Sequence, residues 1–167
     1  MNKYSELQTA LSKSSHLIRH ESEGVTDMDI IYTQALLMHG GNATFMAIKS
    51  GELANILVGL VALGYVGLTA LTVRRSEVLE HLNYEPHAYL MVDIMRQLSH
   101  KIGACASGNA EDYSSLFRFC AHLATDFLNA DFDKALWLYH DWRMCHPVSE
   151  ACDFDKDFPE LTDCLYE

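Results

Sequence analysis

His16 and His20 lie four residues apart with Glu21 beside them, and on a helix that spacing turns two imidazoles to one face, as a zinc site requires. No further ligand is suggested nearby, so the plainer reading is a solvated histidine pair. Five cysteines (Cys105, Cys120, Cys145, Cys152 and Cys164) are odd in number, far apart and without CxxC spacing. That pattern predicts no disulfide framework and fits a reducing cytosol. Cys120 falls on the apolar face of its segment and reads as core. No GxSxG, phosphate-binding glycine loop or paired-cysteine motif occurs.

The elements that must carry any chemistry are helical. Apolar residues recur at helical spacing from Tyr4 to Ile18 (Tyr4, Leu7, Leu11, Leu17, Ile18), and Glu21–Gly24 breaks the pattern. Thr26 with Asp29 three positions on predicts a helix start, since a hydroxyl and a carboxylate can satisfy the free amides there. This second helix runs to about Ile48 and holds Gly40 and Gly41, each costing about 1 kcal/mol relative to alanine. Close packing of another helix, or of a ligand, would explain that cost. Ser50-Gly51 then punctuates, and an apolar helix begins at Glu52.

A short helical piece is expected around Ser76–Leu82. Pro86 suits the first turn of the next helix, which runs to about Ala106 and stops at Ser107-Gly108. Further helices are expected over Ala110–Leu128 and from about Asp131 to Pro147. Residues 148–167 hold seven acidic side chains and one lysine, and read as an irregular acidic tail able to wrap the body. No run alternates with period two. The fold class is all-α, with residues 1–147 as one domain large enough for a hydrophobic core.

Composition narrows the partners. Of the 167 residues, 49% are hydrophobic, and 23 acidic against 12 basic side chains give a formal charge of −11. Such a surface repels phosphate backbones and argues against general nucleic-acid binding. The stretch Leu53–Val73 has no charged residue, is long enough to cross a bilayer, and is followed by Arg74 and Arg75. Three glycines, Asn55, Thr69 and Thr72 within it suit the central helix of a bundle equally well. The favoured expectation is no membrane span. The opening MNKYSELQTALSKSSHLIRH lacks the apolar core of a signal peptide, and a cytoplasmic location is expected.

The two halves share a layout. Sliding one by 57 residues sets Met38 on Met95, Ala47 on Ala104, Ser50-Gly51 on Ser107-Gly108, Leu71 on Leu128 and Leu79 on Leu136. Pseudo-repeated hairpins at about 26–82 and 86–146 would give a four-helix body.

The segment LLMHGGNATFMAIKSGELANIL, residues 36–57, resembles the MazG-like nucleotide pyrophosphohydrolases and the related phosphoribosyl-ATP pyrophosphohydrolases and dimeric dUTPases. In these all-alpha NTP pyrophosphatases one helix carries ExxE, often as EExGEL followed by AIK, and the next carries ExxD, often as ELADIL. Gly41, AIKSG at 47–51 and ELANIL at 52–57 keep that frame, and LNADFDKALWLYHDWRM at 128–144 is similar to the family's later segment, matching its terminal VHxxNM only at His140. The resemblance implies a helical bundle, a nucleoside triphosphate or phosphoribosyl nucleotide ligand, and cleavage between the α and β phosphates assisted by Mg²⁺ or Mn²⁺ held on four carboxylates. It also implies a homo-oligomer, to which the aromatic last helix (Phe132, Trp137, Tyr139, Trp142) would supply a contact.

Carried over by position, the ExxE pair becomes His39 and Asn42, and the ExxD pair becomes Glu52 and Asn55. Glu52 alone keeps its carboxylate and is the catalytic candidate; Glu52, His39, Asn42 and Asn55 are the metal-ligand candidates. In the second half the equivalents are Arg96, Ser99, Asn109 and Asp112, of which only Asp112 is acidic. One carboxylate and two amides hold a hard dication weakly, while His39 would favour a softer metal. Two plainer roles stand beside these: His39 and Asn42 as polar residues facing a partner subunit, and Glu52 as a carboxylate stabilised by a helix N-terminus. A non-catalytic helical binding or assembly protein and, less favoured, a membrane-anchored helical protein are the alternatives to a hydrolase.

Overall fold

The computed structural model describes residues 2–13, 24–79, 90–146 and 160–166. His16, His20, Glu21, Pro86, Cys152 and most of the acidic tail lie outside the described residues. The chain is all-helical, with α1 at Ser5–Ser12, α2 at Asp27–Ser50, α3 at Leu53–Val73, α4 at Met91–Ala104, α5 at Ala110–His122 and α6 at Phe132–Cys145. A single 3₁₀ turn, Cys105–Ser107, extends α4, and a π-turn, Leu123–Phe127, carries α5 to Leu128.

Local chemistry sets these boundaries. At the start of α2 the Asp29 amide donates to Thr26 Oγ1 at 3.2 Å, and the Thr26 amide donates back to Asp29 Oδ2 at 2.9 Å. Such a reciprocal cap is worth about 1 kcal/mol. α2 stops at Gly51, whose φ of 77° is left-handed and whose amide donates to the carbonyls of Ala47 and Ile48. Gly108 ends the 3₁₀ turn after α4 in the same conformation, at φ 74°.

α3 is the axis of the molecule. It packs against α1, α2, α5 and α6, and its residues from Ile56 to Tyr65 are buried without a break. It is also long and apolar enough to cross a membrane, and most of it is enclosed by the other helices. The arginine after it is held within the body. Arg74 folds back, donating through Nε to the Gly108 carbonyl and through Nη1 to the Ala70 carbonyl, both at 2.9 Å, while its guanidinium lies 4.6 Å from the centre of the Tyr113 ring. One cation thereby joins the end of α3 to the turn between α4 and α5.

The short helix expected from Ser76 does not form over Ser76–Leu79, which is irregular. Its backbone polar groups are taken by side chains instead. Asn2 Nδ2 donates to the Val78 carbonyl, Gln8 Nε2 donates to the Ser76 carbonyl, and the Leu79 amide donates to Ser114 Oγ. These long-range partners replace the i+4 amides that the two carbonyls, and the i−4 carbonyl that the amide, would use in a helix. Residues 160–166 do return to the body: the Asp131 amide donates to the Cys164 carbonyl and the Tyr166 amide to the Asn129 carbonyl, with Leu161 and Cys164 buried.

The last helix turns its aromatics inward more than outward. Phe132 and Tyr139 are buried and Trp142 half-buried, so of the four aromatics expected at a contact Trp137 alone is exposed.

Candidate functional site

α2 and α3 form a close antiparallel hairpin whose register is fixed by small residues. A Cβ on Gly59 would stand 2.2 Å from Thr44 Oγ1, and one on Gly40 would stand 3.0 Å from Leu63 Cδ2. A Cβ on Gly41 would meet Ile102 of α4 at 2.9 Å. The two interior glycines of α2 are therefore explained by helix packing on two sides. Residues equidistant from the Gly51 turn face one another, so Asn42 is level with Val61 and His39 with Gly64.

That register decides which of the expected ligands meet. Glu52 and Asn55 do: Asn55 Nδ2 donates to Glu52 Oε2, both side chains being exposed at the start of α3. His39 and Asn42 do not join them. Asn55 is level with Ile48, six residues beyond Asn42, and at 1.5 Å per residue the two pairs are separated by roughly 9 to 18 Å along the hairpin. Ligands of one Mg²⁺ lie about 2.1 Å from it, so this spacing disfavours one ion shared by all four side chains of one chain. Among the described residues no group of three or more His, Cys, Asp and Glu side chains is placed to hold a metal. The α2–α3 register spreads the four positions along the hairpin, with Glu52 and Asn55 at its turn and His39 and Asn42 farther from it.

Asp112 is occupied in its own turn. Ser107 Oγ donates to Asp112 Oδ2 and accepts from the Asn109 amide at 3.1 Å, while the Cys105 thiol donates to the Asp112 carbonyl at 3.5 Å. Glu52 and Asn109 sit at equivalent helix starts, with Asn55 and Asp112 three residues on. Each turn therefore carries one carboxylate and one amide, in opposite order. Arg96 pairs with Asp93 at 3.5 Å, and Ser99 is exposed on α4. These groups serve helix ends and surfaces and do not converge.

A buried pair of polar side chains lies elsewhere and was not legible as a site. Tyr65, midway along α3, contacts Nδ1 of His140 on α6 through its hydroxyl at 3.0 Å. Tyr139 packs edge-on against Tyr65 at 5.1 Å, and Trp137 edge-on against His140 at 5.9 Å. Burial pushes the Tyr65 phenol well above its ordinary range and holds His140 below its own, despite the neighbouring Asp141. A neutral phenol and a neutral imidazole thus share this hydrogen bond. His140 packs, as its place in the last helix suggests, but its partner 75 positions away gave no sequence signal.

Three of the thiols are held away from their nucleophilic form. Burial pushes Cys105 up to about 12 and raises Cys120 and Cys164 as well. A thiolate, the reactive form, is accordingly suppressed at these three positions. Cys105, Cys120, Cys145 and Cys164 are all free. No family model, no curated protein and no solved structure matches this chain.

Proposed function

We propose that this chain is a non-catalytic helical binding or assembly protein on a bundle of the MazG-like type, its pyrophosphohydrolase chemistry having lapsed. The observation that carries the reading is the hydrogen bond from Asn55 to Glu52. The one motif carboxylate left is engaged by the amide that replaces its acidic neighbour, while His39 and Asn42 stand a helical turn and a half or more away. A single carboxylate with a neutral partner supplies too little charge to hold Mg²⁺ or Mn²⁺. The residues present do not fit the family's metal.

The resemblance still supports a nucleotide as the class of small ligand and the cytoplasm as the location. The acidic surface supports neither nucleic acid nor an anionic membrane as partner. The deciding experiment is pyrophosphate release from a panel of ribo- and deoxyribonucleoside triphosphates with Mg²⁺ or Mn²⁺, comparing the native chain with Glu52→Gln. No release from either protein is expected. Metal-dependent release that vanishes in Glu52→Gln would restore the hydrolase reading.

A further inference from the structure

α2 presents two apolar faces, and the bundle uses one. Leu37, Gly40, Gly41, Thr44 and Ala47 point inward and are buried. On the other side Met28, Ile31, Met38 and Met46 are each more than half exposed, with exposed Ala35 and Asn42 between them. The steps along 28, 31, 35, 38 and 42 alternate three and four, the spacing with which one helix presents a seam to another. An apolar stripe over the full length of a helix is larger than the scattered exposed residues of an ordinary surface.

We infer that this stripe binds the same stripe of a second copy, α2 against α2 in antiparallel sense about a twofold axis near Met38. The inference names the partner in the assembly reading above and rests on it for its purpose. Charge selects the occupant. From Ile30 to Ile48 α2 carries no Asp, Glu, Lys or Arg, whereas Asp27 and Asp29 stand at its start and Lys49 at its end. Reversing a second α2 about Met38 sets Asp27 of each copy level with the partner's Lys49. Antiparallel helix dipoles add to the match.

Size sets the strength. A 24-residue helix is roughly 36 Å long, and a strip about 10 Å wide covers ~360 Å², near half of the ~800 Å² per partner in a standard interface. α4, antiparallel to α2 through the Ile30–Gly108 and Gly41–Ile102 approaches, carries exposed Met91, Val92 and Met95 that enlarge the footprint. Repulsion between two bodies of charge −11 is screened beyond about 8 Å at physiological salt.

The test is the mass of the full chain by light scattering and sedimentation at 0.15 M salt, up to about 100 μM, the range in which so modest a footprint is expected to act. The native chain should approach twice 18.8 kDa. Met38→Glu, which sets two carboxylates at the axis, should be monomeric with an unchanged far-UV circular dichroism spectrum. Lys49→Glu should weaken the dimer by about fivefold through the loss of its two symmetry-related exposed pairs, and Asp27→Lys added to it should restore the affinity. A native monomer, a dimer indifferent to Met38→Glu, or failure of the charge exchange would overturn the inference. So would a monomer that floats with phosphatidylcholine vesicles through Met38, which would assign the stripe to lipid. Pyrophosphate release would instead overturn the lapsed-site reading and leave the dimer untouched.

Discussion

Thr44 of α2 lies against Gly59 of α3 so closely that a Cβ on the glycine would stand 2.2 Å from the threonine Oγ1 and 3.0 Å from its Cα. The hydroxyl is spoken for, since it donates to the Gly40 carbonyl at 2.8 Å. This approach locks the hairpin, and through it the separation of the resemblance's two motif pairs. Gly59→Ala is expected to cost about 3 kcal/mol or more, the upper range for overpacking. Adding Thr44→Ala should recover only part of the loss, because the Thr44 Cα is itself too near. Urea unfolding of the single and double variants measures both; full recovery would mean that the backbones are not in the contact.

Gly51 and Gly108 share a left-handed conformation but differ in surroundings. A Cβ on Gly51 meets nothing within 4 Å, whereas one on Gly108 would stand 2.6 Å from Ile30 Cδ1. Gly51→Ala should therefore cost only the backbone strain, about 1–2 kcal/mol. Gly108→Ala should cost more, and Gly108→Ala with Ile30→Ala should lose that excess clash. Equal losses in the two single variants would contradict the Ile30 contact.

Histidine 140 predicts a dependence on pH. Its folded pKa lies below that of the unfolded chain, about 6.5, so the unfolded chain takes up more protons as pH falls. The contribution is complete above that value and is lost on acidification through it. The native urea midpoint should drop between pH 7.5 and 5.5 by more than that of His140→Phe. Tyr65→Phe, which removes the hydroxyl from His140 Nδ1, should cost about 1–3 kcal/mol at pH 7.5. An identical pH response in native and His140→Phe proteins would show that the imidazole is not held neutral by burial.

Restoring the motif carboxylates tests the hairpin register directly. His39→Glu, Asn42→Glu and Asn55→Asp together rebuild ExxE and ExxD in sequence. With the pairs roughly 9 to 18 Å apart, the variant should gain no tight Mg²⁺ site by titration calorimetry and no pyrophosphate release. Micromolar Mg²⁺ binding by the monomeric variant would mean that the four positions do converge.

Much of the helical layout was legible in the chain. Thr26 and Asp29 announced the start of α2, and Ser50-Gly51 and Ser107-Gly108 marked two stops, because caps act within a few residues and leave a local signature. The unbroken apolar run from Ile56 likewise identified the helix that others must surround, since apolar area seeks burial whatever the fold. Tertiary structure alone decided the rest. Side-chain partners from Asn2, Gln8 and Ser114 made Ser76–Leu79 irregular, and Tyr65 found His140 across the bundle. The separation of His39 and Asn42 from Glu52 and Asn55 followed from how deeply Thr44 and Gly59 let two helices approach. Residue types and spacing determine which faces can meet, but register depends on interatomic contacts between distant segments, and these exist only once the helices are packed.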